Sequence, residues 1–185
     1  MQFIQASIPD IVIVVPKVFG DQRGYFVEGF RRDLFEKHVG AIDFMQDNES
    51  MSEYGVVRGL HYQLPPYAQN KLVRVVVGRI IDIAVDIRRK SPTFGRHMAI
   101  ELSGQNMHQV FIPKGFAHGF AVLSEKATVV YKVDAPYAPE YERCIRFDDT
   151  RLNIAWQLPK GDIILSEKDQ KAPSFHEAEL FDTLI

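Results

Sequence analysis

The 185-residue sequence has one cysteine, Cys144, so no internal disulfide can form and stability must come from a packed core. A chain of this size buries roughly 70% of the surface its unfolded form exposes, so neither a disulfide framework nor a structural metal is needed. The sequence also lacks any run of about 18 apolar residues, which excludes a membrane-spanning helix, and Met1–Asp10 carries no positive stretch of the kind a secretion signal needs. A cytoplasmic location is therefore expected. Charge of one sign is missing too, since 22 Lys+Arg against 24 Asp+Glu leave a net charge of -2. That balance offers no field for a nucleic-acid polymer or an anionic membrane, and an anionic ligand would have to meet a local basic cluster. Repeats, low-complexity segments and linkers are absent, so a single domain over residues 1–185 is expected.

What is present is a series of short apolar runs with period-two alternation, broken by Gly, Pro, Asn or Asp about every dozen residues. Strands are expected at Ile11–Val15, Tyr25–Phe30, Val56–Gln63, Leu72–Val77, Ile80–Ile87, His97–Leu102, Gln109–Ile112, Ala117–Leu123 and Ala127–Val133, with a weaker one at Cys144–Phe147. That many strands exceed one flat sheet, so the fold class is all-β, as two packed sheets or a closed barrel. Ile81, Ile83, Val85 and Ile87 form a clean apolar face, whereas Asp82, Ala84 and Asp86 form a face that reaches solvent or a polar interior. A short helical stripe is confined to Arg32–Val39. From Asp148 onward the chain reads as a tail wrapped over the barrel.

The densest polar segment flanked by strand signal is Gly55–Gln63, with Arg58 and His61, followed by Lys71 and Arg74 on the next strand. Such basic groups beside a strand histidine suit a negatively charged substrate. They also suit a solvated strand edge guarded against aggregation, with His61 simply a satisfied strand residue. Arg58 and His61 have opposite parity and would face apart on a regular strand, but a bulge at Gly59 would bring them to one face. Tyr131 shares a strand face with Val129 and Val133, where it serves either as packing with one hydrogen bond or as a proton donor. Tyr137, after a proline, is either a rim residue or an exposed ring able to stack on a nucleobase.

Gly55 with His61, and Pro113, Gly115 and His118, resemble the two cupin signatures. Metal-binding cupins carry a second histidine where this chain has Gln63, with a glutamate beyond it that Leu64–Lys71 lacks, which makes a poor site for a divalent metal. The resemblance therefore favours a cupin-type double-stranded β-helix, or jelly-roll barrel, and disfavours a metal.

A more specific resemblance lies in ordered blocks: Val-Phe-Gly-Asp-Gln-Arg-Gly-Tyr-Phe (18–26), Gln-Asp-Asn (46–48), Arg-Gly-Leu-His-Tyr-Gln (58–63), Lys-Leu-Val-Arg (71–74), Asp-Ile-Ala-Val-Asp-Ile-Arg (82–88), Ser-Pro-Thr-Phe-Gly (91–95), Ile-Pro-Lys-Gly-Phe-Ala-His-Gly-Phe (112–120), Tyr-Lys (131–132) and Leu-Ser-Glu-Lys-Asp (165–169). In these the chain resembles the dTDP-4-dehydrorhamnose 3,5-epimerase family from about residue 3 to 170. The resemblance implies inversion of C3 and C5 of dTDP-4-dehydro-6-deoxy-glucose, with no metal or redox cofactor. Both carbons flank the C4 ketone, so each proton can leave to give an enolate and return from the opposite face. It further implies His61 as the base, Tyr131 as the acid and Asp169 as the carboxylate paired with the histidine. Lys71 is implied as a substrate contact, and its charge would suit the enolate oxygen. Arg23, Glu28, Gln46, Asn48, Arg58, His118, Glu142 and Lys168 match substrate-binding positions, and Tyr137 matches a thymine-stacking aromatic. Arg23, Arg58, Lys71 and Lys168 are then expected to converge on one diphosphate. Family members are homodimers, and Ile11–Val15 would offer an edge to a partner's sheet, although a buried first strand explains it equally.

Glu49, Pro65-Pro66-Tyr67 and Arg146-Phe147-Asp148 depart from the commoner family pattern without removing a proposed catalytic group. The readings that compete are an epimerase inverting C3 or C5 only on a related sugar nucleotide, a metal-dependent cupin enzyme using His61 and His118, and a cupin that only binds a nucleotide sugar.

Overall fold

Period-two alternation of Val, Ile and Phe across the chain gives strands that pair into two antiparallel sheets facing one another. The structure is a computed structural model describing residues 1–182. Among the described residues the strands are β1 (Gln2–Gln5), β2 (Val12–Val15), β3 (Val18–Asp21), β4 (Gly24–Val27), β5 (Gln46–Glu53), β6 (Val57–Gln63), β7 (Lys71–Val77), β8 (Arg79–Asp86), β9 (His97–Ser103), β10 (Gln109–Ile112), β11 (Phe116–Val122), β12 (Lys126–Val133) and β13 (Glu142–Cys144). Helices are short: α1 (Arg32–His38) and α2 (Glu167–Gln170). One sheet has the order β1-β2-β10-β7-β12-β5, the other β13-β6-β11-β8-β9, and β3 with β4 forms a separate hairpin. This is the cupin-type jelly roll with short peripheral helices. No helix among the described residues is long and apolar enough to cross a membrane.

Three apolar layers hold it together. Val73, Val75, Ile80, Ala84, Phe116, Phe120 and Val129 fill the space between the sheets. Ile81, Ile83, Val85 and Ile87 point the other way, into a layer shared with Trp156, Phe175, Leu180 and Phe181 of the C-terminal segment. The third layer seats Phe35 of α1 on Val12, Val14, Leu72 and Phe111. The apolar face of β8 is therefore the outer one. Its acids, Asp82 and Asp86, are fully buried and point inward with Ile80 and Ala84. Asp86 accepts hydrogen bonds from Arg88 Nη2 at 2.7 Å, Arg88 Nε at 2.9 Å and Thr93 Oγ1 at 2.6 Å, so its charge is paired in place.

Two strands escape a hydrophobic reading, and a third ends short of its expected limit. β5 is QDNESMSE, whose one apolar side chain, Met51, is exposed, and it forms because all eight residues pair with β12. β1, QFIQ, sets Phe3 and Ile4 side by side rather than in alternation, and it forms by pairing with β2. The strand expected at Tyr25–Phe30 stops at Val27 and pairs only with β3, in a hairpin that leaves Phe19, Tyr25 and Phe26 exposed. The expectation that Ile11–Val15 offers an edge is corrected by the topology: β2 lies between β1 and β10, and its backbone groups are used within the chain. The sheet edges there are β1 and β5.

Candidate active site

The bulge at Gly59 builds the site. Opposite β11, His118 pairs with His61 but Phe120 pairs with Arg58, so β6 spends one residue more than its partner over that interval. Gly59 has φ +125°, and a Cβ there would sit 2.5 Å from Gly119 Cα, so only glycine fits the close approach. Val57 and Leu60 consequently face the outer layer, while both Arg58 and His61 line the cavity between the sheets. The parity conflict of the sequence is resolved by one residue.

The cavity, about 190 Å³, is lined by Arg58, His61, Lys71, His118, Tyr131, Tyr137 and Glu142, with Ser50, Gln63 and Gln69 among the others. These side chains come from both sheets, from the β6–β7 connection and from the segment joining β12 to β13. His61 Nε2 donates to Asp169 Oδ1 at 2.6 Å, bringing together groups 108 residues apart in the chain. Asp169 is buried, and its other oxygen, Oδ2, accepts from Ser166 Oγ at 2.8 Å. Ser166 also receives the Asp169 N–H as the N-cap of α2. Burial pushes the Asp169 carboxyl up, but the bonds from His61 and Ser166 outweigh it and hold the group below its ordinary value. An ionised Asp169 keeps the proton on Nε2 and leaves Nδ1 as the basic nitrogen.

Burial raises the Tyr131 hydroxyl above its ordinary pKa, against the pull of Arg58, so the phenol keeps its proton. Burial draws Lys71 down to about 8, opposed by the charges of Asp82 and Glu142. His118 Nε2 bonds to Asp82 Oδ2 at 2.8 Å. Among the described residues, Asp82 Oδ1 is the buried side-chain polar atom left without a hydrogen-bond partner. Tyr137 donates its hydroxyl to Glu142 Oε2 at 2.6 Å, and Lys168 pairs with the same carboxylate. Burial raises the Glu142 carboxyl, but Lys168 and Tyr137 more than offset it, and it remains below the usual carboxylate value.

The expected convergence of four cations is corrected in part. Arg58 and Lys71 line the cavity, whereas Lys168 is bound by Glu142. Arg23 stands on the hairpin, paired with Asp21 and exposed, and Glu28 lies near Arg31, so neither joins the cavity of its own chain. Gln46 and Asn48 are on the face of β5 that carries Ser50, opposite Val133 and Tyr131 and bonded to each other at 2.7 Å, but outside the cavity lining. His61 and His118 are each engaged by a separate aspartate, and among the described residues no group of three or more His, Cys, Asp or Glu is gathered as a metal set would be. Sequence reasoning missed Ser50, Gln69, Ser166 and the Asp82–His118 pair. Ser166-x-x-Asp169 is a helix-capping pattern that could have drawn attention to Ser166, and Asp82 showed as an acid on an apolar strand.

The family model for dTDP-4-dehydrorhamnose 3,5-epimerase matches residues 5–177. A Shigella flexneri dTDP-4-dehydrorhamnose 3,5-epimerase is 51% identical, covering 98% of this chain and 99% of that protein. A Pseudomonas aeruginosa relative of the same description is 48% identical over 98% and 99%. A Legionella pneumophila structure, described as dTDP-6-deoxy-D-glucose-3,5-epimerase in complex with dTDP-4-keto-L-rhamnose, has a TM-score of 0.95 and 43% identity, covering 100% of this chain and 99% of its own.

Proposed function

This chain belongs to the dTDP-4-dehydrorhamnose 3,5-epimerase family, and we propose that its His61, Tyr131, Asp169 and Lys71 carry out the reaction. The protein is an isomerase that inverts C3 and C5 of dTDP-4-dehydro-6-deoxy-D-glucose to give dTDP-4-dehydro-L-rhamnose, and its substrate is a nucleotide sugar. His61 takes the C3 or C5 proton, and the Asp169 carboxylate stabilises the imidazolium that results. The electron pair of the broken C–H bond moves into the enolate, whose C4 oxygen meets the Lys71 ammonium. Tyr131 returns a proton from the opposite face, and solvent exchange resets both groups. The observation that carries this reading is that a His–Asp pair, a protonated tyrosine and a lysine line or underlie one cavity.

Arg58, His118, Glu142, Lys168 and Tyr137 form the proposed substrate contacts on this chain, with Tyr137 stacking on thymine. Arg23, Glu28, Gln46 and Asn48 complete the set in a homodimer. The exposed hairpin supports that assembly, since Phe26 is 65% and Tyr25 63% exposed while Arg23 is carried away from its own cavity. Residues 1–185 act as one domain whose tail, from about 148, supplies Asp169, and a nucleotide-activated substrate supports a cytoplasmic location.

The test is incubation with the 4-keto sugar nucleotide in heavy water, followed by NMR. Deuterium is expected at both C3 and C5, and His61→Asn should abolish both. Label at one carbon only, or exchange surviving in His61→Asn, would overturn the single-base mechanism. Tyr131→Phe should wash protons out without completing inversion.

A further inference from the structure

Gln63 stands where metal-binding cupins have their second histidine, and the reaction as described gives it no task. It ends β6 and is 5% exposed. Its Nε2 donates to Tyr67 O at 2.7 Å and to Pro136 O at 3.1 Å, and its Oε1 accepts from Ala138 N at 2.7 Å. Pro136 and Ala138 flank Tyr137, so one carboxamide holds the backbone on both sides of that residue, as the peptide group of a neighbouring strand would. Gln69 Nε2 adds a bond to Ala135 O at 2.8 Å. The Tyr67 ring packs on Tyr141, with centroids 4.8 Å apart, and bolsters the loop that Gln63 grips. Tyr137 itself is 57% exposed, an open ring on a fixed backbone.

We propose that Gln63 is a positioning residue for the nucleotide: it pre-organises the Ala135–Ala138 segment so that the Tyr137 ring is already placed to stack on a nucleobase. The proposal rests on the reading of Tyr137 as the base-stacking aromatic. An exposed loop that had to order on binding would lose affinity, and a loop already held avoids that loss. The residue type is tightly constrained. Both N–H donors and the carbonyl oxygen of the carboxamide are used, whereas a glutamate would set charge against two backbone carbonyls and a neutral imidazole has one donor.

The test uses the full chain, dTDP as probe for calorimetric binding, and the 4-keto sugar nucleotide for steady-state kinetics. Gln63→Glu is expected to weaken dTDP binding and raise KM by about tenfold or more, the effect of losing buried hydrogen bonds to the loop, with a clearly smaller change in kcat. In a Tyr137→Ala background the same substitution should weaken dTDP binding by less than about threefold, because the ring it positions is gone. Unchanged dTDP affinity in Gln63→Glu, a full effect in the Tyr137→Ala background, or a kcat loss as large as the KM change would each overturn the proposal. If Tyr137→Ala alone leaves dTDP affinity unchanged, the reading of Tyr137 falls, which is a different outcome. Gln63→Met removes the three bonds without adding charge, and it carries the same comparison should the glutamate variant fail to fold.

Discussion

Replacing Asp169 by Asn tests whether the His61–Asp169 pair works by charge. The side chain is isosteric, and its surroundings can absorb the change, because Ser166 Oγ either donates or accepts and the helix cap on Ser166 uses only the backbone N–H of residue 169. What is lost is the negative charge 2.6 Å from the imidazole nitrogen. Opposite charges about 4 Å apart at an effective dielectric near 20 attract by about 4 kcal/mol. The His61 side chain is 28% exposed, so solvent screens part of that and about 2–4 kcal/mol remains for the imidazolium formed on proton abstraction. That corresponds to a loss of roughly 30- to 1000-fold in kcat. The assay is the initial rate of deuterium uptake at C3 and C5 by NMR, alongside dTDP affinity. Both rates should fall by the same factor, since one base serves both carbons, and dTDP should bind within about threefold of the unaltered protein. A rate loss under about threefold, or a large loss at one carbon alone, would refute the reasoning.

Lys71→Met should lower kcat by about 10²–10³, the range that removing one oxyanion-hole donor costs elsewhere, with dTDP affinity nearly unchanged. Because burial draws Lys71 down to about 8, the ammonium is present below that pH and lost above it, so kcat/KM should fall as pH rises through about 8. A profile flat to about pH 9.5 in the unaltered protein would show that burial does not bring the Lys71 ammonium into this range, and a Lys71→Met variant with unaltered kcat would remove Lys71 from the mechanism. Gly59→Ala should abolish exchange at both carbons while the chain keeps its β-rich circular dichroism, because an added Cβ 2.5 Å from Gly119 Cα forces β6 to shift under Arg58 and His61. Retained activity would show that the bulge does not set the site. Asp86→Ala should cost about 3 kcal/mol in urea unfolding, since the buried Arg88 keeps only the half-exposed Asp10 as a carboxylate partner, and a loss under about 1 kcal/mol would contradict that account.

Much of the site was legible because its residues sit in short ordered blocks. His61, Lys71, His118 and Tyr131 come from apolar strand segments bounded by Gly, Pro or polar residues, and the glycine that re-aims His61 was visible as an exception inside a strand. What stayed hidden had no pattern. β5 is polar along its length, and pairing with β12 rather than any apolar face makes it a strand, so the place of Ser50 in the cavity could not be foreseen. Gln63 read as a missing ligand and proved to be a three-way bond to two loops.

By itself the sequence determined the fold class and the family, and it named the residues proposed for the chemistry, because periodicity and block spacing are local properties of the chain. Tertiary structure decided direction and company. Which face of β8 is inside depends on a tail some 70 residues later that covers the apolar one, leaving Asp82 and Asp86 to be paired in the interior. Whether His61 meets its carboxylate depends on a contact spanning 108 residues. Pairings of that range arise when sheets pack and loops close over them, and alternation along one strand carries no record of what lies opposite.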